Sequence, residues 1–419
     1  MSAPFMALRR PLSPRAAYAL PAVIIGLSLY ASSAPSPLYG MYSALWGFSP
    51  AILTLVYATY AVGVLITLLL AGRLSDEIGR RPVMLAAVVG IMGSTVVYAL
   101  ADSVLWLFVA RALQGLATGL ALSAAGAALF DLHPRRDHVS VGLANGFASA
   151  SGAGLGIVVS AALVQLAPAP RVLPYVVLFV LLLASALAAL RLKDPIVPAP
   201  GARLRLTPQR PVIHAAARRP FLLASLAVVA SWSILGLFLA LGPDLAADIL
   251  HTHTLLVNGF VIFLLPAAAS VSQLVLGRRA PWAGASIGSL GLALGMALLV
   301  VSVAYTVSAL FVIACLLAGV GFGATFLSGL RALSAAVPHE HRAGVMSAFY
   351  IVAYMALSVP AIIAGFLVAP LGLTLTFEIF GSVIAATALG VGLEAWRGRP
   401  GRTALAAAPS REGAGTESA

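Results

Sequence analysis

Twelve nearly uninterrupted apolar stretches follow one another along this 419-residue chain, divided by short polar turns, and each is close to the roughly 20 residues a helix needs to cross a bilayer core. Inside hydrocarbon the backbone finds no water to bond, so each stretch must satisfy its own amides as a helix. Composition removes the alternative of a soluble globule. Only 9% of the residues are charged and 61% are hydrophobic, whereas soluble domains carry about 25% charged residues. The stretches are placed at 17–41, 50–72, 83–101, 104–129, 140–166, 172–190, 221–242, 254–276, 283–303, 306–332, 343–369 and 371–394, bounded by Gly, Pro or charge. The expected fold class is an all-α integral membrane protein with 12 transmembrane helices.

The positive residues then sort by side. Of the 25 Lys and Arg residues, all but Arg111, inside the fourth stretch, and Arg171, in a loop, fall on one side of such a topology. Basic loops stay in the cytoplasm, so both termini are expected there, in an inner or plasma membrane. The net charge of +12 reads as this topology signal, and no nucleic-acid partner is expected. Arg9 and Arg10 ahead of an apolar run imitate a signal peptide. Pro35, Ser36 and Pro37, with apolar residues continuing to Tyr42, predict instead a kinked first helix whose freed carbonyls need partners. The chain divides into a tail at 1–16, a six-helix bundle at 17–190, a basic Pro-rich linker at 191–220 suited to an anionic lipid surface, a second bundle at 221–394, and a tail at 395–419.

The second half repeats the first. At near-constant offset, Leu107-Phe108-Val109 meets Leu310-Phe311-Val312, Pro134 meets Pro338, and Gly72-Arg73 meets Gly277-Arg278. Two halves of like orientation imply a parallel duplication about an axis along the membrane normal, with a substrate site between them near the midplane.

Between the second and third stretches stands Gly72-Arg73-Leu74-Ser75-Asp76-Glu77-Ile78-Gly79-Arg80-Arg81. Gly79 permits a tight turn, Asp76 can accept amide hydrogen bonds at a helix N-terminus, and Arg80 or Arg81 can pair with a carboxylate. The segment resembles the signature loop of the major facilitator superfamily, and the resemblance extends over about residues 17–394. It implies two pseudo-symmetric six-helix bundles, with Gly72, Asp76, Gly79, Arg80 and Arg81 as a conformational latch. Asp76 is then expected near the start of the eleventh helix, around Arg342 to Met346, when the cytoplasmic side closes. In the second half the loop is eroded: Asp76 aligns with Pro281, and Arg278 and Arg279 remain.

Arg111-Ala112-Leu113-Gln114-Gly115 is similar to the superfamily's Arg-x-x-Gln-Gly motif. An Arg in hydrocarbon costs at least about 2.5 kcal/mol, so Arg111 is expected to face water, a carboxylate or carbonyls; the bland alternative is snorkelling to the nearby helix end. Gly152, Gly154 and Gly156 loosely resemble a glycine-rich antiporter motif but lack its Gly-Pro pair; close helix approach is the alternative. Glu378, with Thr374 and Ser382 one turn to either side, forms a polar stripe expected to face protein, either as a coupling acid or as a structural hydrogen-bonding group. The resemblance also places Tyr30, Tyr57, Tyr60, Gln114, Asn145, Trp232, Asn258 and Tyr354 in a cavity lining, although for any one of them ordinary packing is the simpler role.

No nucleotide loop, metal-ligand cluster or Ser/His/Asp set accompanies the spans, and Cys315 is a lone cysteine. No cofactor, metal or enzyme activity is expected, and energy must come from a gradient of protons or another coupling ion. The expectation is a monomeric secondary transporter exporting a small amphipathic or drug-like organic molecule. The alternatives are an uptake symporter or facilitator for a small metabolite and, in a different class, a membrane sensor without transport.

Overall fold

A computed structural model describes residues 11–72, 74–196, 218–252, 254–337 and 342–398. Arg73, most of the expected linker and parts of both expected tails lie outside those residues. The regular structure is helical throughout the described residues.

The first span is broken. It consists of α1 (Pro14–Ser33), a 3-10 turn at Ser36–Leu38 and α2 (Tyr39–Trp46). The break falls where Pro35 and Pro37 remove two backbone donors. There follow α3 (Pro50–Ala71), the short α4 (Leu74–Ile78), α5 (Arg80–Ala99), α6 (Val104–Leu132), α7 (His138–Leu166) and α8 (Leu173–Ala189). The second half holds α9 (Arg218–Leu250), α10 (Leu255–Leu276), α11 (Pro281–Ala304), α12 (Ser308–Ala336), α13 (Arg342–Leu371) and α14 (Leu373–Arg397). Among the described residues eleven spans are long and apolar enough to cross a membrane, and the 17-residue α8 occupies the remaining, sixth position. Local chemistry sets several starts. Ser13 and Ser49 accept from the amides of Ala16 and Ile52, each just ahead of a proline in the first turn.

Two spans outrun the sequence boundaries furthest. The seventh, expected to stop at 242, continues through Pro243 to Leu250, and the first reaches Trp46. A proline inside a packed membrane helix bends it without ending it, because neighbouring groups can serve the freed carbonyl.

The duplication is visible in the helices. α3 and α10 are both 22 residues long, and α6 and α12 are both 29. In the first half α1 packs on α6 and α7, α3 on α6, and α5 on α6 and α8; in the second α9 packs on α12 and α13, α10 on α12, and α11 on α12 and α14. The two bundles meet along α3 with α13 and along α7 with α10. The repeat exchanges these seams, since α3 corresponds to α10 and α7 to α13. Val89, Val180, Val275, Ile313 and Val383 are each more than half exposed on the outside, an apolar girdle suited to lipid.

Gly152, Gly154 and Gly156 of α7 serve close approach. A Cβ on Gly156 would run into the Tyr30 carbonyl and Ser33 hydroxyl of α1, and one on Gly154 would lie 2.8 Å from the Phe263 ring of α10 across the seam. Gly156→Val is expected to destabilise the protein by about 1–3 kcal/mol through overpacking. Gly126→Ala, in open space on α6, should instead be neutral or stabilising, by up to about 1 kcal/mol. Thermal unfolding in detergent checks both; a Gly156→Val protein as stable as wild type overturns the packing account.

Candidate functional site

The break in the first span creates a demand that α6 meets. Without a proline N–H at position 35, the Ala31 carbonyl loses its helical donor, and Gln114 Nε2 supplies one at 2.9 Å. The adjacent Ser32 carbonyl accepts from Arg111 Nη1 at 2.7 Å, and the same nitrogen donates to Gln114 Oε1 at 2.7 Å. Arg111 Nε donates to the Tyr39 hydroxyl at 2.8 Å. Arg and Gln three residues apart on one helix face thus clasp the kink. Arg111 is completely buried, so it does not snorkel.

Three tyrosines surround its guanidinium, whose carbon lies 4.8 Å from the Tyr57 ring centre, 5.4 Å from Tyr60 and 5.6 Å from Tyr39, a range in which ring quadrupoles attract a cation. Among the described residues Arg111 forms no ion pair. Its Nη2, together with the hydroxyls of Tyr57, Tyr60 and Tyr30 and the indole N–H of Trp232, is buried without a hydrogen-bond partner. Trp232 and Tyr354 of the second bundle meet edge to face at 5.1 Å, in one cluster with Tyr60. The inter-bundle seam therefore carries aromatic and polar groups from both halves.

Nearer the side opposite the expected linker lies a 330 Å³ cavity. Ser36, Tyr39 and Ser49 of the first half face Leu239, Pro243 and Asp244 of the second across it. Ser36 Oγ donates to the Leu239 carbonyl at 3.3 Å, joining the halves there. Tyr39 belongs both to this lining and to the Arg111 cluster.

On the linker side the loop after α3 forms a charged knot. Gly79 has φ +101°, a conformation that disfavours any side chain. Arg80 is almost wholly buried and bonds Asp76 at 2.5 Å, Asp131 of α6 at 2.9 Å and Ser75 Oγ at 2.7 Å. Asp76 does not cap α5. That role falls to Asp194, which accepts from the amides of Arg80 at 3.1 Å and Arg81 at 3.0 Å. Its carboxylate occupies the space a Cβ on Gly79 would need. Gly72 offers its carbonyl to Ser123 of α6 at 3.0 Å. The expected docking of Asp76 near Arg342 to Met346 involves side chains at 342–344 that lie outside the described residues. Nearby, Asp137 caps α7 through Ser140 and Val139, and the Ser140 hydroxyl is the main reason its pKa is lowered to about 2.

The sequence profile of the Major Facilitator Superfamily matches residues 22–286, well over half of the chain. The chain belongs to that superfamily. Its fold is similar to that of the human organic anion transporter MFSD10 (TETRAN), with a TM-score of 0.64 at 18% identity over 91% of this chain and 100% of the other. No curated protein matches. Superfamily members are transporters and not enzymes, so this chain is a multi-pass membrane transporter of the superfamily, and such transporters bind small-molecule substrates.

Within the superfamily fold, Tyr57, Tyr60, Gln114 and Arg111 come together, with Trp232 and Tyr354 facing them from the other bundle. Other candidates stand apart. Tyr30 is buried against Gly156. Asn258 donates to the Thr252 carbonyl at 3.2 Å at the start of α10, and Asn145 is half-buried two turns into α7. Glu378 does not join the cluster. Thr374 and Ser382 are exposed and Glu378 is partly so, while α14 buries Thr376, Phe377, Gly381 and Ile384. The stripe expected to face protein is thus on the outer side of α14. Sequence reading overlooked Tyr39, Asp194 and Asp244. For Tyr39 a signal existed, since it directly follows the proline break whose carbonyls needed partners.

Proposed function

We propose that the chain is a secondary transporter of a small amphipathic organic solute, exported by alternating access of its two bundles against proton entry. The observation that carries this reading is the buried aromatic and polar cluster at the inter-bundle seam, with Tyr57, Tyr60 and Arg111 on one side and Trp232 and Tyr354 on the other. Arg111 Nη2, the hydroxyls of Tyr57 and Tyr60 and the Trp232 indole N–H are left without protein partners, as a site built for a guest requires. The similarity in fold to an organic anion transporter supports an organic solute as cargo. The basic loops support a cytoplasmic position for the linker side and both termini, in an inner or plasma membrane.

Proton coupling needs a titratable group that water reaches from alternate sides. Asp244 lines the inter-bundle cavity, with Asp248 one turn further along α9, and is better placed for this than Glu378 on the outer side of α14. Reconstituted vesicles with an imposed pH gradient test the reading, with solute content and internal pH followed together. Asp244→Asn is expected to abolish proton movement while retaining solute exchange, and Glu378→Gln to retain both. Wild-type solute movement indifferent to the gradient overturns the coupling; proton movement lost in Glu378→Gln alone returns the role to that residue.

A further inference from the structure

The transport reading leaves the chemistry of the cargo open, and the inference here rests on that reading. Arg111 is buried to 0% exposure inside a membrane bundle and, among the described residues, no acid pairs with it. Three donor contacts are used on Tyr39, Ser32 and Gln114. Both N–H bonds of Nη2 are unused. A buried cation with unspent donors is costly unless an anion and further hydrogen bonds complete it, and a guanidinium edge suits a carboxylate. The hydroxyls of Tyr57 and Tyr60 are also buried without partners, on rings 4.8 and 5.4 Å from the same guanidinium carbon. Three unfilled donor groups thus belong to one cluster of the first bundle. Across the seam the second bundle presents an aromatic wall: Trp232 lies 5.1 Å from Tyr354 and 5.6 Å from Phe326.

We infer that the cargo is an aryl or similarly apolar monocarboxylate, its carboxylate bound by Arg111 Nη2 and the hydroxyls of Tyr57 and Tyr60, its body held against Trp232 and Tyr354. The two ends of the cargo are then held by different bundles. A molecule lacking the carboxylate leaves the cation unmatched, and one lacking the apolar body leaves the second bundle without purchase. Because the same guanidinium clasps the break in the first span, occupancy acts on the segment that also lines the outer cavity through Tyr39.

The test uses the full chain in proteoliposomes at neutral pH with three matched series: benzoate and naphthoate, the corresponding carboxamides, and the corresponding arylmethylamines. Wild-type protein is expected to move the carboxylates at least about tenfold better than the carboxamides, equivalent to roughly 1.4 kcal/mol, and to reject the amines. Arg111→Gln should erase that preference. The Tyr57→Phe/Tyr60→Phe pair, which removes two hydroxyls while preserving ring packing, should reduce it severalfold even where Arg111→Gln fails to fold. Carboxamides or amines moving as well as carboxylates overturn the anion assignment and leave the transport reading standing. A carboxylate preference undiminished in the Phe pair and in folded Arg111→Gln overturns the site. If no series moves at all, the aryl carboxylate assignment falls, while the transport reading is judged by the vesicle experiment above.

Discussion

Arg111→Ala is expected to lower transport by at least about 100-fold and to destabilise the folded protein by roughly 3–5 kcal/mol. The size of the transport loss follows from removing the one cation in the seam cluster, where a single hydrogen bond to a charged group is worth about 1.5–3 kcal/mol. The stability loss has a separate origin. The Ser32 carbonyl and Gln114 Oε1 each lose a donor at 2.7 Å, and an unsatisfied buried group costs about 1–3 kcal/mol. Arg111→Lys separates the two effects: an ammonium keeps the charge but cannot reproduce the planar fork that serves three acceptors. It should recover much of the stability and little of the transport. Thermal unfolding and vesicle transport measured on the same preparations check this, and Arg111→Ala transport within threefold of wild type overturns the central role.

Asp131→Ala is expected to destabilise the protein by about 2–3 kcal/mol, and Asp76→Ala by less than about 1 kcal/mol. Both acids pair with Arg80, at 2.9 and 2.5 Å, but the Asp131 side chain is 22% exposed and that of Asp76 is 55%. Solvent screens the shorter pair, whereas removing Asp131 leaves a nearly buried guanidinium short of its inner partner. Added salt should weaken the Asp76 contribution more. Equal losses in the two variants would mean that Asp76 has a further partner in the folded protein, and the latch expected at the start of α13 would be the place to seek it.

How far the sequence alone carried is clearest at the first span. Pro35 lacks an N–H wherever it stands, so the break and its hungry carbonyls were legible without coordinates. That Arg111 and Gln114 feed those carbonyls was not legible, because it depends on α6 crossing α1 at that height. The cap on α5 makes the same point. Asp76 is close in sequence and chemically suited, yet Asp194, 114 residues away from Arg80, takes the amides because the chain after α8 returns beside Gly79.

Run length, proline position and the one-sided placement of Lys and Arg are properties of the chain in one dimension, governed by hydrocarbon thickness and by backbone donors that must be satisfied. They determined the spans and the broken first helix. The facing of Glu378 was decided only by packing. A polar stripe at helical spacing can turn toward protein or away from it, and α14 turned Phe377 and Gly381 inward. The union of Arg111 with Tyr57 and Tyr60, and their apposition to Trp232 and Tyr354, likewise exists only where helices distant in sequence cross, since a side chain's electrostatic surroundings are set by neighbours in space.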